Sequence, residues 1–193
     1  MNAIRIASVL VLAASNGCFA AEALAPVSSF DRIADKNQLA AALFQEAGRV
    51  ITSPRCLNCH PVDASPRQGD VMRMHEPPVL RGADGKGAVA MHCATCHGPA
   101  NFDRVPGHPK WHLAPTSMGW IGHSLGQICE HIKDPARNGG RSLRQVVEHM
   151  ADDDLVGWAW RPGADRAPAA GTQKEFGEIL KAWLDNGAHC PRV

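Results

Sequence analysis

Cys56-Leu57-Asn58-Cys59-His60 and Cys93-Ala94-Thr95-Cys96-His97 place two thiols and an imidazole at the same spacing twice in one chain. Two cysteines at this spacing can each add an S–H across a vinyl group of one porphyrin. The histidine directly after the second thiol then falls beneath the iron and supplies a ligand. This is the attachment signature of a c-type haem. Zinc would use the same cysteines, but its chemistry asks for no histidine after both pairs. A thioredoxin-like dithiol belongs to a βαβ setting, and no such pattern surrounds either motif. Two covalent haems are therefore expected, attached at Cys56, Cys59, Cys93 and Cys96 and ligated by His60 and His97.

The sixth iron ligand decides what such a haem can do. A second His or a Met saturates the iron and suits electron transfer, whereas an open position admits a small molecule. His75 leads the candidates, lying between the motifs in Met72-Arg73-Met74-His75-Glu76-Pro77-Pro78, where prolines stiffen the chain beyond it. His112 follows, in Pro109-Lys110-Trp111-His112-Leu113-Ala114-Pro115, beside a tryptophan able to pack on porphyrin. Met118 competes for the same iron, and His149 and Met150 stay open as alternatives, although Met150 reads more simply as a core residue. The sequence leaves open which haem His75 would serve.

Two further clusters lie outside the motifs. Arg81-Gly82-Ala83-Asp84-Gly85-Lys86-Gly87 looks like a phosphate loop but lacks the preceding strand and the Walker spacing, so it reads as a turn. Arg73, Arg81 and Lys86 are candidates to neutralise haem propionates or to lie in solvent. Trp158-Ala159-Trp160 reads as cover for haem or core surface, with an electron-exit patch as the sharper alternative.

The elements that must position these groups are mostly helices. Asn37 to Val50 carries Leu39, Leu43, Ala47 and Val50 along one face and leads into the first motif. Ser124 to Lys133, Ser142 to Ala151 and Thr172 to Asn186 each pair an N-terminal cap with an apolar stripe, and Gly187 follows the last as a stop. The second and third of these align residue by residue, which shared capping and amphipathic rules explain more simply than duplication. Nine of the 14 Pro and six of the 18 Gly fall between residues 53 and 117, a loop-rich stretch holding both motifs. No alternating stretch suggests a sheet of any size.

Residues 1–20 read as a signal peptide: Arg5 precedes a short apolar run from Ile6 to Ala14, and Cys18-Phe19-Ala20 ends in a small residue. Cys18 as a lipoprotein cysteine is the rival reading. The apolar run is shorter than the roughly 20 residues a transmembrane helix needs. Seven cysteines, less Cys18 and the four in the motifs, leave Cys129 and Cys190. In an oxidising compartment one disulfide between them is the economical expectation, with two buried thiols as the alternative. The formal charge of +1 points to neither nucleic acid nor an anionic membrane as partner. The absence of tyrosine removes tyrosyl-radical chemistry.

Pro54-Arg55-Cys56, His75-Glu76-Pro77-Pro78-Val79, Trp111-His112-Leu113-Ala114-Pro115, Asp134-Pro135-Ala136-Arg137-Asn138-Gly139-Gly140 and Trp158-Ala159-Trp160 together resemble a family of small exported dihaem cytochromes. Its members are often labelled as an isoquinoline 1-oxidoreductase subunit, and the resemblance covers most of the mature chain. The hydroxylating chemistry of such enzymes belongs to molybdopterin and iron–sulfur subunits, whose motifs this sequence lacks. The arrangement is also similar to the bis-histidine dihaem subunit of periplasmic nitrate reductase, a likeness that reaches only His60, His75, His97 and His112.

The expectation is a mostly α, loop-rich domain over 37–193, with several short helices packed around two covalent haems and a linker over 21–36. It would be a periplasmic electron carrier between redox partner proteins, such as a dehydrogenase or hydroxylase, rather than a catalyst. The alternative is a haem enzyme, a small peroxidase or reductase with one five-coordinate iron.

Overall fold

The computed structural model describes residues 22–163 and 165–192; the expected signal segment lies outside them. Helices and loops dominate. Helix α1 spans Lys36–Ile51, with the Asp35 carboxylate accepting from the Gln38 amide as its cap. Its buried face holds Leu43, Phe44, Ala47, Val50 and Ile51, at helical spacing. After Thr52, Pro54 opens a single turn, α2 (Pro54–Leu57), where its missing N–H costs nothing.

Three longer helices follow: α3 (Leu125–Lys133), α4 (Leu143–Asp152) and, after one turn α5 (Asp154–Gly157), α6 (Gln173–Asp185). Ser124, Ser142 and Thr172 cap α3, α4 and α6 through complete capping boxes with Gln127, Gln145 and Glu175. Asn186 ends α6 and Gly187 takes a left-handed φ of 93°.

Helix α6 lies along both α1 and α4 and so runs through the core. Trp183 on α6 meets Phe44 on α1 at 4.7 Å, and its indole N–H donates to the His189 carbonyl at 3.0 Å. Phe176, Ile179, Leu180, Ile128, Ile132 and Val147 complete a core in which each large side chain contributes about 1.5–3 kcal/mol by burial. The α4–α6 approach depends on Gly177, where a Cβ would come within 2.8 Å of the Ala151 Cβ. Cys129 on α3 is bonded to Cys190 beyond α6, joining the C-terminal segment to the helical body. Gly126 permits that join, since a Cβ there would stand 2.7 Å from the Pro191 carbonyl oxygen.

The segment expected to be a linker is held against this body. Leu24 is buried, the Ala25 amide donates to Glu46 at 2.8 Å, and Arg49 pairs with Glu22 at 2.7 Å. The stretch between α2 and α3 is largely loop, with two hairpins of two-residue strands. In the first, β1 (Arg67–Gln68) pairs antiparallel with β2 (Arg73–Met74); in the second, β3 (Gly87–Ala88) pairs with β4 (Met91–His92). Such short ladders leave no alternation for sequence to display. No described helix is long and apolar enough to cross a membrane.

Candidate functional site

Each Cys-x-x-Cys-His motif folds into one helical turn. In the first, the His60 amide donates to the Cys56 carbonyl at 3.2 Å; in the second, the His97 amide donates to the Cys93 carbonyl at 2.9 Å. The i, i+3 and i+4 positions of a turn share one face, so both thiols and the imidazole lie together. All four cysteines are free of disulfides. Desolvation pushes the Cys56 thiol up to about 12 and Cys59 to about 11, and it raises Cys93 as well. These sulfurs stay as thiols at neutral pH, unlike the lowered thiols of redox dithiols.

The histidines after them are prepared alike. His60 Nδ1 lies 2.7 Å from the Met118 carbonyl oxygen, and His97 Nδ1 lies 2.7 Å from that of Pro106. A carbonyl only accepts, so each Nδ1 carries the proton and each Nε2 keeps its lone pair for a metal. Burial holds both rings neutral, lowering His60 to about 4 and His97 in the same direction. Each ring is also backed by an indole: Trp120 stacks on His60 at 3.6 Å and 12°, and Trp111 on His97 at 4.8 Å and 15°.

His75 and His112 share only the backbone partner, with Nδ1 donating to the Pro77 carbonyl at 2.9 Å and the Lys110 carbonyl at 2.6 Å. His75 stands beside His97, ring centres 6.0 Å apart. Two imidazoles on opposite sides of one ion, with metal–nitrogen bonds of about 2 Å, have centres roughly 6 Å apart. His112 is exposed and makes no ring contact with His60 or His97. His149 lies near enough to His60 and to His112 for their charges to be coupled, and its Nδ1 lies 3.4 Å from Asp153.

Both methionine alternatives belong to the apolar core. Met118 holds the His60 ring through its carbonyl, and its side chain is 7% exposed within the helical core. Met150 is likewise a core residue. The two tryptophans of Trp158-Ala159-Trp160 part company. Trp158 reaches the second motif, edge-on to Trp111 at 5.0 Å with its indole N–H on Asn101, while Trp160 packs on Phe176.

The surroundings fit a covalently held apolar group. Among the described residues every exposed large apolar side chain lies between Val62 and Val105, led by Val89 at 91%, Val71 at 82% and Phe102 at 80%. Exposed apolar side chains confined to the stretch of sequence that holds the two Cys-x-x-Cys-His turns are what a porphyrin face would cover. Arg81, nearly buried, keeps Nε and Nη1 without an acceptor among the described residues. No three His, Cys, Asp or Glu side chains of the described residues converge to cage an ion. Porphyrin iron asks only one or two ligands of the protein.

Trp120, the Met118 carbonyl and the burial of Arg81 were beyond sequence reasoning, because each acts across a long chain separation; the Pro106 carbonyl, nine residues from His97, depends on the path of the loop between them. Trp120 alone left a trace, as an aromatic shortly after the His112 loop. Comparison of the chain with protein-family models, with curated proteins and with solved structures gives no match.

Proposed function

We propose that this chain is an exported dihaem c-type cytochrome, carrying electrons between redox partner proteins. The observation that carries the reading is the repeated attachment turn whose following histidine is held neutral with Nδ1 protonated and Nε2 free. When bound, haem c supplies reversible one-electron exchange at iron. Cys56 and Cys59 would hold one group and Cys93 and Cys96 the other, with His60 and His97 as the near-side ligands. Trp120 and Trp111 fix the planes of those rings, and the carbonyls behind them raise their basicity toward metal. His75 would supply the second ligand to the group held with His97, and His112 that of the group held with His60; the nearness of the His75 and His97 rings supports the first of these. The partner would be a dehydrogenase or hydroxylase in the periplasm, in keeping with the resemblance to the small dihaem cytochromes labelled as isoquinoline 1-oxidoreductase subunits.

A second reading has one specific observation in its favour. His112 is exposed and touches no proximal ring, so the first iron could keep an open position, as in a small peroxidase or reductase.

Intact mass of protein recovered from the periplasm tests both. The expected mass exceeds the cleaved polypeptide by two haems. One haem, or a zinc ion in place of either, overturns the proposal. The resting spin state then divides carrier from enzyme: two six-coordinate low-spin irons mark the carrier, and a high-spin fraction the enzyme.

A further inference from the structure

The peptide joining Pro106 to Gly107 is hydrogen-bonded on both of its edges. Its carbonyl accepts from His97 Nδ1 at 2.7 Å, and its N–H donates to Asn101 Oδ1 at 3.0 Å. Trp158 donates its indole N–H to the same Oδ1 at 2.8 Å, and Asn101 Nδ2 donates to the Arg161 carbonyl at 2.9 Å. The carboxamide fits these partners in one orientation, because two N–H groups need its oxygen and a carbonyl needs its nitrogen. Gly107 is buried, and a Cβ on it would run into the Ala100 carbonyl oxygen. The loop is therefore wound tightly where it meets His97.

Asn101 lies behind both supports of the His97 ring. Through the peptide it reaches the carbonyl that holds Nδ1. Through Trp158, edge-on to Trp111 at 5.0 Å, it reaches the indole stacked on the ring at 4.8 Å. Hydrogen bonds in series polarise one another, so an acceptor on the Gly107 N–H makes the Pro106 carbonyl a stronger acceptor for His97. His60 has the same chain with a different end. The Met118 carbonyl accepts from its Nδ1, and the N–H of that same peptide, on Gly119, donates to the Thr116 carbonyl at 3.0 Å. There the backbone closes the chain as a turn. Behind His97 a side chain closes it, and a substitution can remove that link alone.

Resting on the haem reading, we propose that Asn101 is a positioning residue for the haem of the second motif, acting on His97 through the Pro106–Gly107 peptide. It strengthens the hydrogen bond at Nδ1 and so raises the donor strength of Nε2 toward iron. A stronger imidazole donor favours the oxidised iron, so loss of Asn101 raises the potential of that haem.

The test is Asn101→Leu and Asn101→Asp in the full exported protein, read by intact mass, spectroelectrochemistry and the NMR shift of each histidine Nδ1 proton in the reduced state. Leucine removes the acceptor from the Gly107 N–H, whereas aspartate keeps it and adds negative charge. We expect two haems by mass in both variants. In Asn101→Leu the His97 Nδ1 proton should move upfield and the potential of its haem should rise. In Asn101→Asp both should move the opposite way. The His60 proton, whose chain ends on Thr116, should stay in place throughout. A residue that merely tied the loop would lower stability without shifts of opposite sign. Two haems with the His97 proton unmoved, or moved alike in both variants, overturn the role of Asn101 and leave the haem reading intact. Wild-type protein without two haems overturns both. Should Asn101→Leu fail to accumulate, Asn101→Asp decides: a downfield His97 proton supports the proposal, and an unmoved or upfield one overturns it.

Discussion

A carbonyl oxygen can only accept a hydrogen bond, and that constraint sets four imidazoles of this chain in one tautomer. His60, His75, His97 and His112 each face a backbone carbonyl through Nδ1, at 2.6–2.9 Å. His108 does the reverse, accepting the Lys110 amide at Nδ1 at 3.1 Å. His149 faces a carboxylate instead. The shared backbone orienter is what a metal-binding imidazole needs, because it fixes the ring and frees Nε2. If His75 and His112 bind iron, His75→Ala should turn the haem at Cys93 and Cys96 high-spin and let carbon monoxide bind it when reduced. His112→Ala should do the same at the other haem, while the wild type binds little. Met118→Ala is expected to leave both irons low-spin, since its side chain belongs to the core. If Met118→Ala or His149→Ala opens an iron and His112→Ala does not, the assignment of His112 fails.

At the scale of elements, capping and packing divide the work. Helices α3 and α4 carry matching sequences and the same capping box, yet α4 lies along α6 whereas α3 carries the disulfide. Their likeness therefore needs no more than one shared rule for starting an amphipathic helix. Helix α4 places Val147 and Met150 in the core and sets His149 Nδ1 3.4 Å from Asp153. Ser142→Ala removes the acceptor for the Gln145 amide and should cost about 1 kcal/mol, read as a lowered midpoint in urea unfolding. The haem count by mass should not change, because both attachment turns lie outside α4. An unchanged midpoint would mean the box contributes nothing here.

The whole molecule is a helical body of α1, α3, α4 and α6 bearing an irregular layer that holds both Cys-x-x-Cys-His turns. The body carries most of the buried apolar side chains, and the layer carries the exposed ones. The Cys129–Cys190 bond spans 61 residues, closing α4 and α6 within its loop. A loop of that size corresponds to roughly 4 kcal/mol in the chain-entropy picture. Cys129→Ser with Cys190→Ser should lower stability by about that amount in urea unfolding, with both haems retained by mass. Non-reducing peptide maps should recover the two cysteines as one linked pair; free alkylation of both in denatured wild-type protein would exclude the bridge.

The two Cys-x-x-Cys-His turns and the helix starts were legible because they are local. A turn of five residues brings Cys, Cys and His onto one face wherever it occurs, and a capping box needs only positions i and i+3. The disulfide was legible by elimination, since only Cys129 and Cys190 remained once the motifs and Cys18 were set aside. Hairpins of two-residue strands were not, because so short a ladder has no periodicity. Nor was the packing of residues 22–36, which depends on Glu46 and Arg49 one helix away. Only the tertiary structure decided that His75 stands beside His97 rather than His60, that Trp120 and Trp111 back the His60 and His97 rings, and that Arg81 is buried rather than solvated. Each of these joins residues far apart in the chain, and residue type and spacing carry no record of distance through space.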